Sequence, residues 1–348
     1  LYHILLNMEF SLLLFLLLSV ILNYSLIRLD FFFSKDPKKQ IQDVHINNPS
    51  RLGGLTLYIL FFGCETLFLG KFNILFWCSS IILLIAILED FRISIKPKIR
   101  LAVIIFSCLT LILSLPILPK FNFGTLNFLV NNQIFQIIFF TFSIATVING
   151  QNIIDGTNGL SAITALCIFA GILFLAFQVN DTYIIEKCLI IITLIIGFII
   201  FNYPFGKIFL GDTGSYFLGL ISSYFVIYIF SNYQQIPVWS AVVIIFYPTI
   251  EVCFSYFRRI IQKKSPFFPD NKHLHQKIFF LISKKLNKKT LLCNALVAPI
   301  LAILWLTPLL LLPISIISNF WSIFILIIFL SIYFLFYFFL SKYEKNEL

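Results

Sequence analysis

RRIIQKKSPFFPDNKHLHQKIFFLISKKLNKK, residues 258–289, lies between long apolar runs and decides how the rest of the chain is read. It holds ten of the 25 Lys and Arg, two of the four His (His273 and His275) and one acid, Asp270. It is the one sizeable polar island in a chain of 348 residues that is 60% hydrophobic and 11% charged, with a mean hydropathy of +0.98. A soluble domain carries about 25% charged residues. Apolar runs of 18 or more residues recur along the whole length, and each can cross a bilayer core of about 30 Å. They do not alternate apolar with polar, which excludes a membrane β-barrel. The expected fold is all-α: a polytopic transmembrane helical bundle, one integral membrane domain over 1–348 with a basic loop at 258–290.

Working outward from that loop, the expected spans are 10–27, 53–70, 73–88, 101–118, 134–149, 159–178, 184–201, 214–230, 237–257, 291–311 and 319–340. That is about eleven helices, with ten the alternative count. The weakest boundaries lie at 53–91, where two helices share a short turn at Gly70–Asn73. The first run lacks a basic leader and a small-residue cleavage site, so it reads as an uncleaved helix. The first residue is Leu1 and the only Met is Met8, and either is a candidate start. The seven Cys are scattered, mostly inside apolar runs, with no C-x-x-C pair, and read as small buried hydrophobes.

Lys and Arg set the orientation. With the N-terminus outside and the C-terminus cytoplasmic, the inner segments carry 22 basic residues and the outer ones three, Lys71, Lys120 and Lys187. The net charge of +10 then needs no nucleic acid. It anchors one face to anionic membrane lipids and draws phosphorylated ligands toward it. The same topology puts NNPSRLGG (47–54), EDFRISIKPKIR (89–100), NGQNIIDGTNG (149–159), FGKIFLGDTGS (205–215) and PDNKHLH (269–275) on one side. The outer loop 119–133 has no acid and no His.

Each motif has a plain reading and a chemical one. Glu89 and Asp90 either solvate a helix end or serve a divalent cation or a proton. Asn149, Asn152 and Asp155, with Gly156 and Gly159, suit an inter-helix turn, yet they carry more amides than a turn requires. Free backbone amides at the helix that starts near Asn158 could take a phosphate. Asp212 follows Gly211, with Thr213 or Ser215 as candidate helix caps. A carboxylate beside helix-start amides makes a Mg2+–phosphate site plausible, since Mg2+ takes one or two carboxylates plus phosphate and water oxygens. His273 and His275 are too few for a zinc site. With Lys272, Lys277, Arg258 and Arg259 nearby they fit contact with phosphate or sugar.

Taken together, the motifs resemble the polyprenyl-phosphate N-acetylhexosamine-1-phosphate transferase family, the MraY/WecA type of glycosyltransferase family 4. NPSRLGG is similar to its early P-x-R-x-G-G loop, and EDFRISIKPKIRL to its acidic-pair motif. NIIDGTNGL is similar to N-x-x-D-G-x-[ND]-G-L, FLGDTGS to F-x-G-D-x-G-S, and the basic loop ends in D-x-x-H-x-H. Five motifs in order cover residues 45–280. The resemblance implies a bacterial inner (plasma) membrane enzyme whose active site faces the cytoplasm. Such an enzyme condenses a UDP-N-acetyl sugar with undecaprenyl phosphate, yields polyprenyl-diphospho-sugar and UMP, requires Mg2+ with Mn2+ as an alternative, and often forms a homodimer.

Carried over by motif, Asp212 would be the leading metal ligand and Asn152 the second. Asp90 would be the base or positioning acid for the lipid phosphate, with Glu89 beside it and Asp155 close to the reacting diphosphate. Phe209 would stack on uracil and Asn158 would help hold the nucleoside. His273, His275, Arg258, Arg259 and Lys264 would contact diphosphate or sugar, and Arg51 of the early loop would bind substrate. A phosphate monoester with its second pKa near 6 is already mostly ionised. Direct attack of the lipid phosphate on the β-phosphorus is therefore favoured, with a covalent route through Asp155 or Asp90 the alternative.

Two departures narrow the resemblance. The acidic pair is Glu89–Asp90 rather than Asp–Asp, and the loop ends HLHQ without a further His. The missing His run argues against a muramyl-pentapeptide substrate and for branches that start O-antigen, capsule or other surface glycans, on GlcNAc, N-acetylfucosamine or diacetamido-bacillosamine. The rival reading is a transporter with an anion-binding cytoplasmic face that uses Glu9, Glu65 and Glu251. These acids are spread over different helices, and matching inverted halves are not evident.

Overall fold

The computed structural model describes residues 2–33, 50–69, 73–91, 93–122, 125, 127–265, 270–287 and 290–346. Several expectations fall outside them: Asn47 to Pro49 of the first motif, Gly70 to Phe72 of the short turn, Arg92, Pro269 and Leu1. The side chains of Met8 and Glu65 are likewise outside the description.

The chain is almost wholly helical. In order come α1 (Tyr2–Phe33), α2 (Gly53–Leu69), α3 (Ile74–Asp90), α4 (Pro97–Leu113), the single turn α5 (Asn127–Val130), α6 (Gln133–Ile153), α7 (Leu160–Val179), α8 (Thr182–Asn202) and α9 (Gly211–Asn232). Then follow α10 (Trp239–Ile244), α11 (Phe246–Ile261), α12 (Leu274–Lys285), five short pieces α13 (Leu291–Ala295), α14 (Val297–Ile300), α15 (Ala302–Trp305), α16 (Thr307–Leu310) and α17 (Leu312–Ser315), and α18 (Asn319–Asn346).

Among the described residues, seven helical segments are long and apolar enough to cross a membrane: 9–29, 133–153, 160–179, 182–202, 211–232, 291–310 and 319–343. Each coincides with an expected span. The other four expected spans hold shorter helices. Three of these, α2, α3 and α4, have 17 residues each. The expected span 101–118 ends early, because α4 stops at Leu113. Pro116 follows, and the residue before a proline disfavours helix. The span 237–257 is split at Ile245 into α10 and α11. Pro248 has no N–H to return to the Ile244 carbonyl, so the ladder breaks there. Pro299, Pro308 and Pro313 interrupt the segment from Leu291 to Ser315 in the same way.

α9 is the axis of the bundle. Of its span 89% is buried, against 17% for the α1 span. It packs on α6, α3, α2 and α7. The small residues Gly214, Ser215, Gly219, Ser222 and Ser223 allow this, because small side chains let helix backbones close on one another. The tightest place is Gly54 on α2. A Cβ there would lie 2.0 Å from the Gly214 nitrogen and 2.1 Å from its Cα. The chain before α2 is stitched to the chain before α9 by an isolated parallel bridge between Ser50 and Ile208. Phe209 N–H donates to Ser50 O at 2.7 Å, Gly53 N–H to Phe209 O at 3.0 Å and Gly54 N–H to Leu210 O at 3.0 Å.

A second apolar cluster joins α11, α12, the segment after Leu291 and α18 through Phe246, Tyr247, Leu274, Phe279, Leu301, Phe329 and Tyr333. Ile154 and Leu160, which flank the Asp155 loop, belong to it. The junction of the two clusters is where the polar motifs meet.

Candidate active site

The end of α3, the end of α6 and the start of α9 converge. Asp90 is the last residue of α3 and only 8% exposed. Its two carboxylate oxygens accept the backbone N–H of Asp212 at 2.8 Å and of Thr213 at 2.9 Å. The Asp155 carboxylate accepts the Gly211 N–H. Two acids from other segments therefore cap α9. Its first amides are occupied by carboxylates and are not free for a phosphate, and neither Thr213 nor Ser215 is the cap. Gly211 has φ +68, and a Cβ on it would meet the Arg51 carbonyl and the Asp90 carboxylate, so glycine is required at this crossing.

The start of α7 is closed in a similar way. Asn158 N–H donates to the Asn294 side chain at 2.6 Å and Gly159 N–H to the Asn202 side chain at 2.8 Å. Those amides too are spent within the chain.

Around Asp212 the polar groups are dense. Asn152 donates its side-chain N–H to Asp212 Oδ1 at 2.8 Å and to Ser215 at 3.0 Å. Arg100, in the first turn of α4, pairs with Glu89 at 2.7 Å and reaches Asp212 at 3.8 Å. Burial and then the neighbouring Asp212 push the Glu89 carboxyl up to about 7, against the pull of Arg100. Burial and Asp212 also push Asp90 up to about 7, against the amide bonds it accepts. Asp155 is held well above the usual carboxylate range by burial, Asp212 and Asp90, with Arg51 and the Gly211 amide opposing. Four carboxylates thus crowd one another, and burial with mutual repulsion raises the pKa values of Glu89, Asp90 and Asp155 together.

That excess of negative charge, on hard oxygen donors, fits a divalent cation of the Mg2+ type. Among the described residues no group of three or more His, Cys, Asp or Glu converges as a complete ligand set. Mg2+ ordinarily takes one or two carboxylates and completes its shell with phosphate and water. Asp212 with Asn152 turned to present its oxygen would supply that share.

The His loop closes the site from the other side. His275 is 1% exposed and lies against Gly156, where a Cβ would come within 2.7 Å of Nε2. Its Nδ1 has no hydrogen-bond partner among the described residues. Burial, then His273, lowers its pKa to about 3, so the ring is neutral. His273 caps α12, and its backbone N–H donates to Gln276 at 3.2 Å.

The other expected residues sit as follows. Arg258 pairs with Asp270, donates to the Lys272 carbonyl and to Tyr337, and lies over the Phe254 ring at 5.7 Å. Arg259 donates to the Ser265 carbonyl at 2.7 Å and reaches Asp270 at 3.7 Å. Both fasten the loop to α11. Asn158 is 1% exposed, donates to the Pro204 carbonyl at 2.9 Å and lies under Gly206. Phe209 is 4% exposed, within the stitch beside Ser50. Lys264 is exposed, and Arg51 is half-buried beside Gly211 and Asp155. Glu9 is exposed on α1, whereas Glu251 is buried on α11 against the His loop.

Sequence reasoning missed Arg100, Asn294 and Tyr333. Arg100 stands inside a quoted motif, eleven residues from Glu89. The others carry no local signal, because their partners lie far along the chain.

A bundle of membrane-type helices with acids, amides and His gathered at one end defines a membrane protein built around a charged centre. The chain matches the family described as glycosyl transferase family 4 over residues 72–230. It is 30% identical over 160 residues to the undecaprenyl-phosphate alpha-N-acetylglucosaminyl 1-phosphate transferase of Thermotoga maritima, covering 44% of this chain and 46% of the relative. It is 26% identical over 244 residues to the Escherichia coli protein of the same name, covering 65% and 64%. It is 36% identical over 105 residues to the phospho-N-acetylmuramoyl-pentapeptide-transferase of Leuconostoc mesenteroides, covering 30% of each. The chain thus spans less than two thirds of the length of these relatives.

Proposed function

We propose that the protein transfers an N-acetylhexosamine 1-phosphate from a UDP-sugar to undecaprenyl phosphate, releasing UMP, as the first committed step of a surface glycan. One observation carries this reading: residues from four separated motifs meet around Asp212, with His275 of a fifth against Gly156, and the crowded set of carboxylates there would face a cation and phosphates. The names of the relatives support the reaction class.

Mg2+, held by Asp212 and Asn152, would offset the charge of the two phosphate groups that must approach each other. The chain's own residues do the rest. Arg100 and Arg51 oppose the carboxylate charge from two sides. His275, neutral and set against the Asp155 loop, offers a hydrogen bond to a diphosphate or sugar oxygen without adding charge. The lipid phosphate is mostly ionised near neutral pH. Its oxygen attacks the β-phosphorus, the bond from that phosphorus to the bridging oxygen breaks, and UMP leaves with the electron pair. No base is needed, which suits an Asp90 whose oxygens already hold two amides. Asp155, buried and with its carboxylate engaged by the Gly211 amide, is poorly placed to act as a nucleophile. Direct attack is therefore favoured.

In this reading Asn158, Phe209, Arg258 and Arg259 shape the walls of the site, while Lys264 meets the anionic surface. The four shorter helical segments complete eleven spans, with the His loop in the cytoplasm of a bacterial cell.

The test is UMP release from purified protein, undecaprenyl phosphate, Mg2+ and a panel of UDP-N-acetyl sugars, with and without EDTA. Lipid-dependent, EDTA-sensitive UMP is expected, and the best donor names the sugar. No UMP from any donor in a folded sample would sink the reading. A cysteine at Ser265 should react only after reagent enters the cell; labelling from outside would reverse the topology.

A further inference from the structure

The buried polar stripe on α11 includes a carboxylate that the chemistry above does not use. Glu251, Ser255 and Arg258 follow each other at helical spacing and are all buried. Ser255 and Arg258 meet Asp270. Glu251 is 1% exposed and meets the next part of the loop. Its Oε1 accepts the Leu274 N–H at 2.9 Å and lies 3.2 Å from His273 Nδ1. Its Oε2 accepts the Tyr333 hydroxyl from α18 at 2.9 Å. A carboxylate is costly to bury, and it persists where donors surround it.

We propose that Glu251 is the positioning residue of the His loop, acting through His273 to set His275 against the Asp155–Gly156 turn. With Leu274 and Tyr333 both donating, Glu251 presents acceptors only. His273 must then carry its proton on Nδ1, which fixes its tautomer and ring plane. The His273 and His275 rings lie parallel, 6° apart in plane with centroids at 5.7 Å. The orientation set at Glu251 is thereby passed to His275, whose Nε2 faces Gly156. Tyr333 is fully buried and edge-on to Phe254 at 5.5 Å, so α18 in turn fixes the carboxylate.

The proposal rests on the transferase reading for its kinetic part and on placement alone for its spectroscopic part, so the two can fail separately. In protein labelled with 15N-histidine, His273 should show a protonated, hydrogen-bonded Nδ1. That signal should be lost in Glu251→Leu, which leaves no acceptor, while the protein stays folded. Unchanged His273 signals in Glu251→Leu would overturn the proposal whatever the activity. In the UMP assay, Tyr333→Phe should lower turnover roughly tenfold and Glu251→Ala up to roughly a hundredfold, the scale of a small misplacement, with little change in the KM for the donor. Glu251→Ala combined with His273→Ala should be no worse than the worse single variant, because the two residues act as one unit. Fully additive losses would overturn the proposal. A wild-type protein that releases no UMP would count against the transferase reading and leave the spectra to decide the placement.

Discussion

Asn152, in the last turn of α6, donates its side-chain amide to Asp212, in the first turn of α9, across 2.8 Å. The bond spans 60 residues of chain and fixes the carboxylate at the centre of the acidic cluster. Asp212→Asn should therefore remove the charge to which the rest of the site is organised. UMP release should fall by about a hundredfold or more, as when a preorganised electrostatic group is lost. A second readout separates the metal from the fold. Ligands that bind the native state raise its thermal midpoint, so Mg2+ should stabilise the wild type and leave Asp212→Asn unmoved. A variant that kept the Mg2+-dependent shift would take the metal role away from Asp212.

Asp90 offers a different contrast. Its oxygens hold the Asp212 and Thr213 amides, which makes it the cap of a helix it does not belong to. Asp90→Ala should lower stability by about 1–2 kcal/mol, the usual worth of a cap, and should lower activity because Asp212 shifts with its own amide. Asp90→Asn keeps one acceptor oxygen and should fall in between on both measures. An Asp90→Asn protein as stable as wild type yet inactive would restore a proton-transfer role.

How much of this the sequence discloses depends on how far each feature depends on tertiary pairing. Helix runs were legible because run length and hydropathy are local. The early end of α4 and the break at Ile245 were not anticipated, although Pro116 and Pro248 stood in the chain as their causes. The gathering of the five motifs was legible from charge topology. The partners within it were not. Asp90 caps amides 122 and 123 residues away, and Asn158 is held by Asn294 across 136. Nothing local tells a carboxylate that will cap a distant helix from one that will meet a ligand. Glu251 did carry a signal, a lone acid in an apolar run, but the same signal served the transporter reading equally well.

Gly54 tests the packing that carries the site. A Cβ would fall on the nitrogen and Cα of Gly214, which are backbone atoms and cannot turn aside. Gly54→Ala should force α2 from α9, pull on the stitch at Phe209 and Leu210, and cost about 3 kcal/mol or more. Gly63 lies on the same helix with nothing within 4 Å of an added Cβ. Gly63→Ala should be neutral or mildly stabilising, since alanine suits a helix better than glycine. Thermal midpoints of the two variants in detergent decide the matter, and equal midpoints would mean that the helices are not in contact at Gly54.

His275 gives the pH dependence a sign. Its native pKa is drawn down to about 3, whereas an unfolded histidine titrates near 6.5. Above roughly pH 6.5 both states are neutral at this ring, and its full contribution to stability is present. As the pH falls below that value the unfolded chain binds a proton that the native state refuses, so stability declines until the native ring also protonates near 3. Other groups add their own slopes, and His275→Gln isolates this one because glutamine does not titrate. The midpoint of the wild type minus that of His275→Gln should shrink steadily between pH 7.5 and 5. A difference that stays flat over that range would mean that the ring is open to water, and the closed placement of the His loop against Gly156 would have to be abandoned.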